Sequence, residues 1–553
     1  MTISERNDFM NTKMNSMRKL AAVMAVVSSV TSLTACGAAS TDEADSYTRG
    51  QNNVQYNSTE AAAGECAPAD YDEAPADNAD FEQNDEEYNY ISENGYTAVS
   101  SAPLSTFSAD VDTASYTNVR RMIDNGSDVP PDAVRIEEFI NYFDYDYTDP
   151  ADGEPFAVHT ELSDCPWNDE TELLMVGINT KGFDAVLDER PAMNLVFLID
   201  VSGSMYDDNK LPLVQKSFSM LTDNLTAADR VSIVTYAGSD EVVLEGADGN
   251  DRKKILRAIN DLEAGGSTAG AAGINTAYDI AQKYFIDGGN NRVILATDGD
   301  LNVGLSSESE LTRLIEEKRE SGVFLSVLGF GTGNYKDNRL EALADYGNGN
   351  YSYIDSEKEA KKVLVDEMSG TLFTVAKDVK FQLEFNPANV KGYRLIGYEN
   401  RVMAAEDFND DTKDAGEIGA GHSVTVLYEI VPADSKMELG ESELKYASDS
   451  EGVMGDELLT VNIRYKEPEG SESKLLTYPV NKSLYSDKMS ADMNFASCVA
   501  EFGMLLRNSR YIGDVTYKDV SAQLSKYDYS DDDYKDEFIY LVNTMKRRDT
   551  NFQ

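Results

Sequence analysis

Cysteine, histidine, tryptophan and positive charge are all scarce in this sequence. Its 553 residues hold four cysteines, two histidines and one tryptophan, and 48 Lys plus Arg stand against 99 Asp plus Glu, a formal net charge of −51. Each shortage excludes something. With Cys36 set aside, Cys66, Cys165 and Cys498 make no disulfide framework, and no pair has the spacing of a metal site. No Gly-x-Ser-x-Gly elbow is present to set a nucleophile beside His159 or His422, so no Ser-His-Asp triad is expected and both are expected to be structural or surface residues. Nucleic acid is excluded as a partner, because binding a phosphate backbone depends on Lys and Arg displacing counterions. The same polyanion is ill-suited to docking on anionic lipid through its surface. Long apolar runs are missing too. The run Leu20–Ala35, preceded by Lys13, Arg18 and Lys19, is too short and too rich in Ser and Thr to span a bilayer, and reads as a secretory signal.

The end of that run, Leu33-Thr34-Ala35-Cys36, resembles the lipobox of bacterial lipoproteins. The resemblance implies a signal peptide over 1–35 and a lipid anchor to the membrane on Cys36. The protein is then expected outside the cytoplasm, at the cell membrane or cell envelope surface. Residues 36–100 have no hydrophobic period, and 41–100 hold fifteen acids and one base. Such a composition cannot bury enough apolar area to offset chain entropy, so an acidic disordered tether is expected.

Beyond it the texture changes. Residues 101–190 carry two amphipathic faces (Tyr116, Val119, Met122 and Ile123, then Val134, Ile136, Phe139, Ile140 and Phe143) and two strand-like segments, Phe156–Glu161 and Glu172–Ile178. They are expected to form an N-terminal α+β flanking domain. Between 191 and 376 apolar runs such as Leu195–Ile199, Val231–Val234, Val293–Ala296 and Phe324–Gly329 alternate with helical patterns at 210–222, 252–262, 270–285, 308–320 and 357–370. Strands apolar on both faces suit a parallel sheet covered by helices on both sides, so the fold class is α/β with a doubly wound, mostly parallel sheet. A β-rich domain is expected over 377–480 and a helical region over 481–553. The β segments flanking 191–376 are candidates to pair into one sandwich, with the α/β domain inserted between its strands.

In open α/β sheets, sites form at the carboxyl ends of strands. Three such places here carry oxygen donors: Asp200-Val201-Ser202-Gly203-Ser204, Gly265-Gly266-Ser267-Thr268, and Thr297-Asp298-Gly299. Carboxylates and hydroxyls are hard donors that suit Mg²⁺ or Mn²⁺. The stretch resembles a von Willebrand factor type A (VWA) domain with a complete metal-ion-dependent adhesion site, or MIDAS. The resemblance implies that Asp200, Ser202, Ser204, Thr268 and Asp298 hold the ion, directly or through water, and that a coordination position stays open for an Asp or Glu carboxylate of a partner protein. The chain from about 103 onward is similar to bacterial exported proteins built on this domain, through Ser105–Tyr116, Tyr393–Asn400 and Gly416–His422. No base is placed for catalysis, so an adhesion-type binding module rather than an enzyme is expected. The alternatives are a scaffold of an envelope complex in which the metal only stabilises the fold and, more remotely, a metal-dependent hydrolase.

Overall fold

The computed structural model describes residues 86–182, 190–266, 270–299, 308–333, 335–413, 415–439, 455–468 and 470–552. The signal peptide, Cys36, Cys66, most of the tether and Thr268 lie outside the described residues.

Among the described residues, four strands precede the α/β unit: β1 (Thr97–Ala98), β2 (Leu104–Ser108), β3 (Phe156–Asp164) and β4 (Glu172–Thr180). Six belong to it: β5 (Met193–Asp200), β6 (Arg230–Tyr236), β7 (Asp240–Asp248), β8 (Asn290–Thr297), β9 (Phe324–Phe330) and β10 (Tyr351–Ile354). Six follow: β11 (Thr374–Phe385), β12 (Val390–Ile396), β13 (Gly416–Gly419), β14 (Ser423–Pro432), β15 (Glu457–Lys466) and β16 (Ser473–Asn481).

The α/β sheet has the order β10-β9-β8-β5-β6-β7, parallel except for the antiparallel edge strand β7. Central β5 is buried at every position, which is why its sequence is apolar without alternation. Leu195, Phe197 and Ile199 face one layer of helices with Val214 and Phe218, and the Phe197 and Phe218 rings stack at 4.2 Å. Val196 and Leu198 face the other layer, against Ile274, Tyr278 and Leu340. Helices at Leu211–Thr222, Arg252–Asn260, Gly270–Lys283 and Glu308–Arg319 fall where the hydrophobic periods place them. The expected helix 357–370 is instead broken, with a π-helical turn at Lys362–Asp366. That wider turn brings buried Lys362 to Glu367 and over the Tyr142 ring, 4.8 Å from its centroid.

Strands from both sides of this unit share sheets. One sheet runs β1-β12-β14-β4-β3, and the other has β13-β11-β15-β16 with β2 also on β11, all antiparallel. The register pairs Phe107 with Phe381 and Val176 with Val426. Their inner faces form one core, in which Phe385 of one sheet stacks on Tyr393 of the other at 4.1 Å. The α/β unit is therefore inserted between β4 and β11 of a sandwich.

A third core joins the helices Ala114–Asp124 and Ile136–Ile140 to the C-terminal helices Ala491–Arg507, Tyr517–Leu524 and Asp533–Phe552. Ser490 caps the first of these three, accepting the Met493 N–H at 3.1 Å, and Asn508 ends it in the left-handed conformation. Replacing Ser490 by Ala is expected to cost about 1 kcal/mol, read as a lower denaturant midpoint.

Residues 86–100, assigned by composition to the tether, belong to the folded unit. Glu86 pairs with Arg121 at 3.0 Å, the Ile91 N–H donates to Asp132, and β1 pairs with β12. Composition misses them because a few specific contacts hold them, ion pairs and backbone bonds together with Val99 in the sandwich core and Tyr88 against the helical one. His159 stacks on Tyr147 at 4.9 Å, and burial holds the His422 imidazole down to about 4. Cys165 and Cys498 are buried and unpaired, and burial raises both thiols. No helix among the described residues is long and apolar enough to cross a membrane.

Candidate metal centre

The central strands β5 and β8 end side by side, and each delivers one carboxylate past its last residues. Asp200 closes β5 and is fully buried, and Asp298 follows β8 and is nearly so. The loop after Asp200 turns back at once, because its Oδ1 accepts the Ser202 N–H at 2.8 Å. That turn brings the Ser202 and Ser204 hydroxyls to 3.0 Å from each other. Thr297 donates to the other Asp200 oxygen at 3.4 Å. Two backbone hydrogen bonds, Gly203 N–H to Gly266 O at 3.1 Å and Gly265 N–H to Val201 O at 2.7 Å, tie this loop to the one that leads to Thr268.

The electrostatics follow from that packing. Burial pushes the Asp200 carboxyl up to about 6, hydrogen bonds from Ser202 oppose the rise, and the negative charge of Asp298 adds to it. Two carboxylates held together in a dry place call for a positive charge. Part of it comes from Lys210, whose ammonium meets Asp298 Oδ2 at 3.1 Å from a buried position just before the helix Leu211–Thr222. The Lys210 stem lies against Gly331, where a Cβ has no room.

Lys210 was not singled out from the sequence. A signal was there, since a lysine at the start of a helix opposes the macrodipole and needs another reason to be there. Of the five ligand candidates, four are brought to one end of the sheet, and the fifth, Thr268, lies outside the described residues. The donor set is hard oxygen, and among the described residues no three His, Cys, Asp or Glu side chains converge as an alternative metal site. Buried carboxylates beside paired hydroxyls fit a hard divalent cation.

Comparison with known proteins identifies the family of the chain. Residues 194–366 match the von Willebrand factor type A domain family, 82–175 a family described as von Willebrand factor, and 370–547 the C-terminal family of the uncharacterized protein YfbK. The uncharacterized protein YfbK of Escherichia coli (strain K12) is 45% identical over 467 residues, covering 82% of this chain and 80% of that one. The uncharacterized protein sll0103 of Synechocystis is 27% identical over 300 residues, covering 53% and 66%. Among solved structures, a von Willebrand factor type A protein from Catenulispora acidiphila is 18% identical with a TM-score of 0.37, covering 65% of this chain and 82% of that one. By the extent and level of its identity to the Escherichia coli protein, the chain belongs to the YfbK family, which is built around a von Willebrand factor type A domain.

Proposed function

We propose that the protein is a lipid-anchored, extracytoplasmic binding module that captures an acidic side chain of a partner protein through a divalent cation, Mg²⁺ or Mn²⁺. The observation that carries this reading is the convergence of buried Asp200 and Asp298 with the Ser202 and Ser204 hydroxyls at the carboxyl end of the sheet. Thr268 would complete the set. When bound, the cation supplies a Lewis-acidic position that a carboxylate can enter. Lys210 matters here, because its charge offsets that of Asp298 and leaves the loaded centre net positive despite two acidic ligands. A strongly acidic protein can thus attract an acid at one point. The lipid anchor on Cys36 and the place at the cell envelope belong to the same reading.

The test is Mn²⁺ titration of the whole chain, followed by capture from envelope extract with Mg²⁺ or with EDTA. Asp200→Ala is expected to lose at least about a hundredfold in Mn²⁺ affinity, since even outer partners of metal ligands are worth up to that much. Capture should disappear with EDTA and with that variant. Capture indifferent to both sinks the reading. A second reading, a scaffold in which the ion only stabilises the fold, is favoured by the buried like charges of Asp200 and Asp298, whose repulsion a bound cation would offset. It gains if metal raises the melting temperature while leaving capture unchanged.

A further inference from the structure

Lys210 stands at the candidate metal centre for a reason its own helix does not supply. It follows Ser204 by six residues, its N–H donates to Asp207 O at 2.9 Å, and its O accepts the Val214 N–H at 2.9 Å in the first turn of the helix Leu211–Thr222. The macrodipole opposes a cation at that end of a helix. Burial adds a second cost, since Lys210 is 8% exposed. The side chain is nonetheless held where it stands. Its stem lies against Gly331 in the loop after β9, where an added Cβ would come 2.6 Å from the Lys210 Cγ. Gly331 is fixed in turn, because its carbonyl accepts the hydroxyl of buried Tyr353 at 2.5 Å. The ammonium is thereby directed to Asp298 Oδ2 at 3.1 Å.

The choice of lysine matters as much as its place. Arginine is the usual residue for a buried ion pair, because its planar fork takes both oxygens of a carboxylate at once. That fork occurs elsewhere in this chain, where the Arg120 guanidinium holds both oxygens of Asp355. At Asp298 a compact ammonium meets one oxygen, which neutralises the carboxylate without enclosing it. The same carboxylate can therefore also serve an ion. With Asp200 and Asp298 both ionised, the three side chains sum to one negative charge, which a divalent ion turns into one positive charge. Without Lys210 the loaded centre would be neutral.

We infer that Lys210 is a resident cation that weakens the binding of the divalent ion and, through the same charge, strengthens the hold of the loaded centre on a partner's carboxylate. The inference rests on the metal-binding reading above and adds to it a residue that sets specificity. Metal affinity and carboxylate affinity are then opposed at this one position. With Lys210 set against Asp298, the loops also keep their places before the ion arrives, which leaves the ion to the task of capture.

The test uses the whole chain and two neutral replacements, Lys210→Met and Lys210→Gln, with Mn²⁺ as the metal probe and acetate as the carboxylate probe. Acetate binding is read from the fall in water-proton relaxation of the bound ion. A charge within about 4–6 Å moves the proton affinity of a neighbouring group by roughly one to three powers of ten. On that scale both variants are expected to bind Mn²⁺ about tenfold more tightly than the parent and to need about tenfold more acetate for the same fall in relaxation. Without metal they should melt below the parent, and saturating Mn²⁺ should raise their melting temperature by more than it raises the parent's. The opposite signs are the signature, since removing a lysine that merely braced the loop would weaken both kinds of binding. A variant that folds only when Mn²⁺ is supplied supports the inference, and one that folds in neither condition overturns it. Gln keeps a donor for Asp298, so a Lys210→Gln protein that matches the parent shows that the bond matters rather than the charge, and the inference falls. It falls likewise if a folded variant binds Mn²⁺ no more tightly than the parent or leaves acetate binding unaltered. The metal-binding reading then stands if Asp200→Ala removes the ion. If the parent binds no Mn²⁺, both fall.

Discussion

Replacing Arg120 by Met is expected to destabilise the folded chain by about 3–5 kcal/mol, the usual cost of removing one partner from a buried ionic group. Arg120 is 3% exposed and gathers three acids from two later parts of the chain. Its guanidinium binds Asp355 through two nitrogens at 2.8 and 2.6 Å, Glu359 at 2.9 Å and Glu537 at 3.0 Å, and it reaches the Tyr142 hydroxyl at 2.8 Å. Methionine fills similar space but leaves Asp355 and Glu359 facing each other without the cation, where burial already raises the Glu359 carboxyl. Arg120→Lys should recover only part of the loss, since an ammonium cannot hold two carboxylates in a fork. The half-exposed pair Lys358–Glu537 nearby, at 3.3 Å, is the natural control, and Lys358→Ala should change stability by less than about 1 kcal/mol. Denaturant unfolding of the three variants measures all of this. A loss below about 1 kcal/mol for Arg120→Met would mean that the pairs merely break even against an apolar core.

The second large effect concerns a lone buried acid and has the opposite sign. Glu501 sits on the helix Ala491–Arg507, 1% exposed, with Oε2 lacking a hydrogen-bond partner. Burial pushes its carboxyl up to about 8, Lys526 opposes the rise, and Asp519 adds to it. A folded-state value above the unfolded one means that the native chain binds the extra proton. The stability Glu501 supplies is therefore complete below about pH 4.5 and is lost as pH climbs through about 8. Glu501→Gln keeps the shape and removes the titration. At pH 8.5 it is expected to be more stable than the parent by roughly 3–5 kcal/mol, and near pH 4.5 to differ little. Unfolding midpoints of both proteins across that range decide it, and parallel pH profiles would refute the assignment.

Much of the α/β unit was legible because its strands are buried on both sides. Leu195–Ile199 and Val293–Ala296 declare themselves by composition alone. Edge strands do not. Half-exposed β7 alternates imperfectly, and β16 exposes Leu475, so neither carries a clean period. The helix Asp337–Tyr346 and the four-residue β10 likewise lie outside the expected elements. The break at Lys362–Asp366 was illegible for a different reason, since the contact it serves, Lys362 over the Tyr142 ring, is with a residue more than two hundred positions earlier. At the metal centre the ligand types could be read from spacing, whereas Lys210 could not, because its role depends on Asp298 standing at the end of another strand.

The insertion of one unit between two strands of another also sets a timetable. Thr106 and Gln382 hydrogen-bond across 276 residues, so β2 has no partner until β11 has been made. The α/β sheet, by contrast, draws all its strands from Met193–Ile354 and can close on its own. Its closure replaces a long floppy loop by a rigid bridge, which lowers the entropic cost of bringing β2 to β11. During synthesis β2 nonetheless waits while the stretch from Ser108 to Phe385 is added, about 14–55 s at ribosomal rates. For that interval β2 has both edges bare and the β3–β4 hairpin lacks its β14 neighbour, so these strands are the part of the nascent chain most open to wrong pairing.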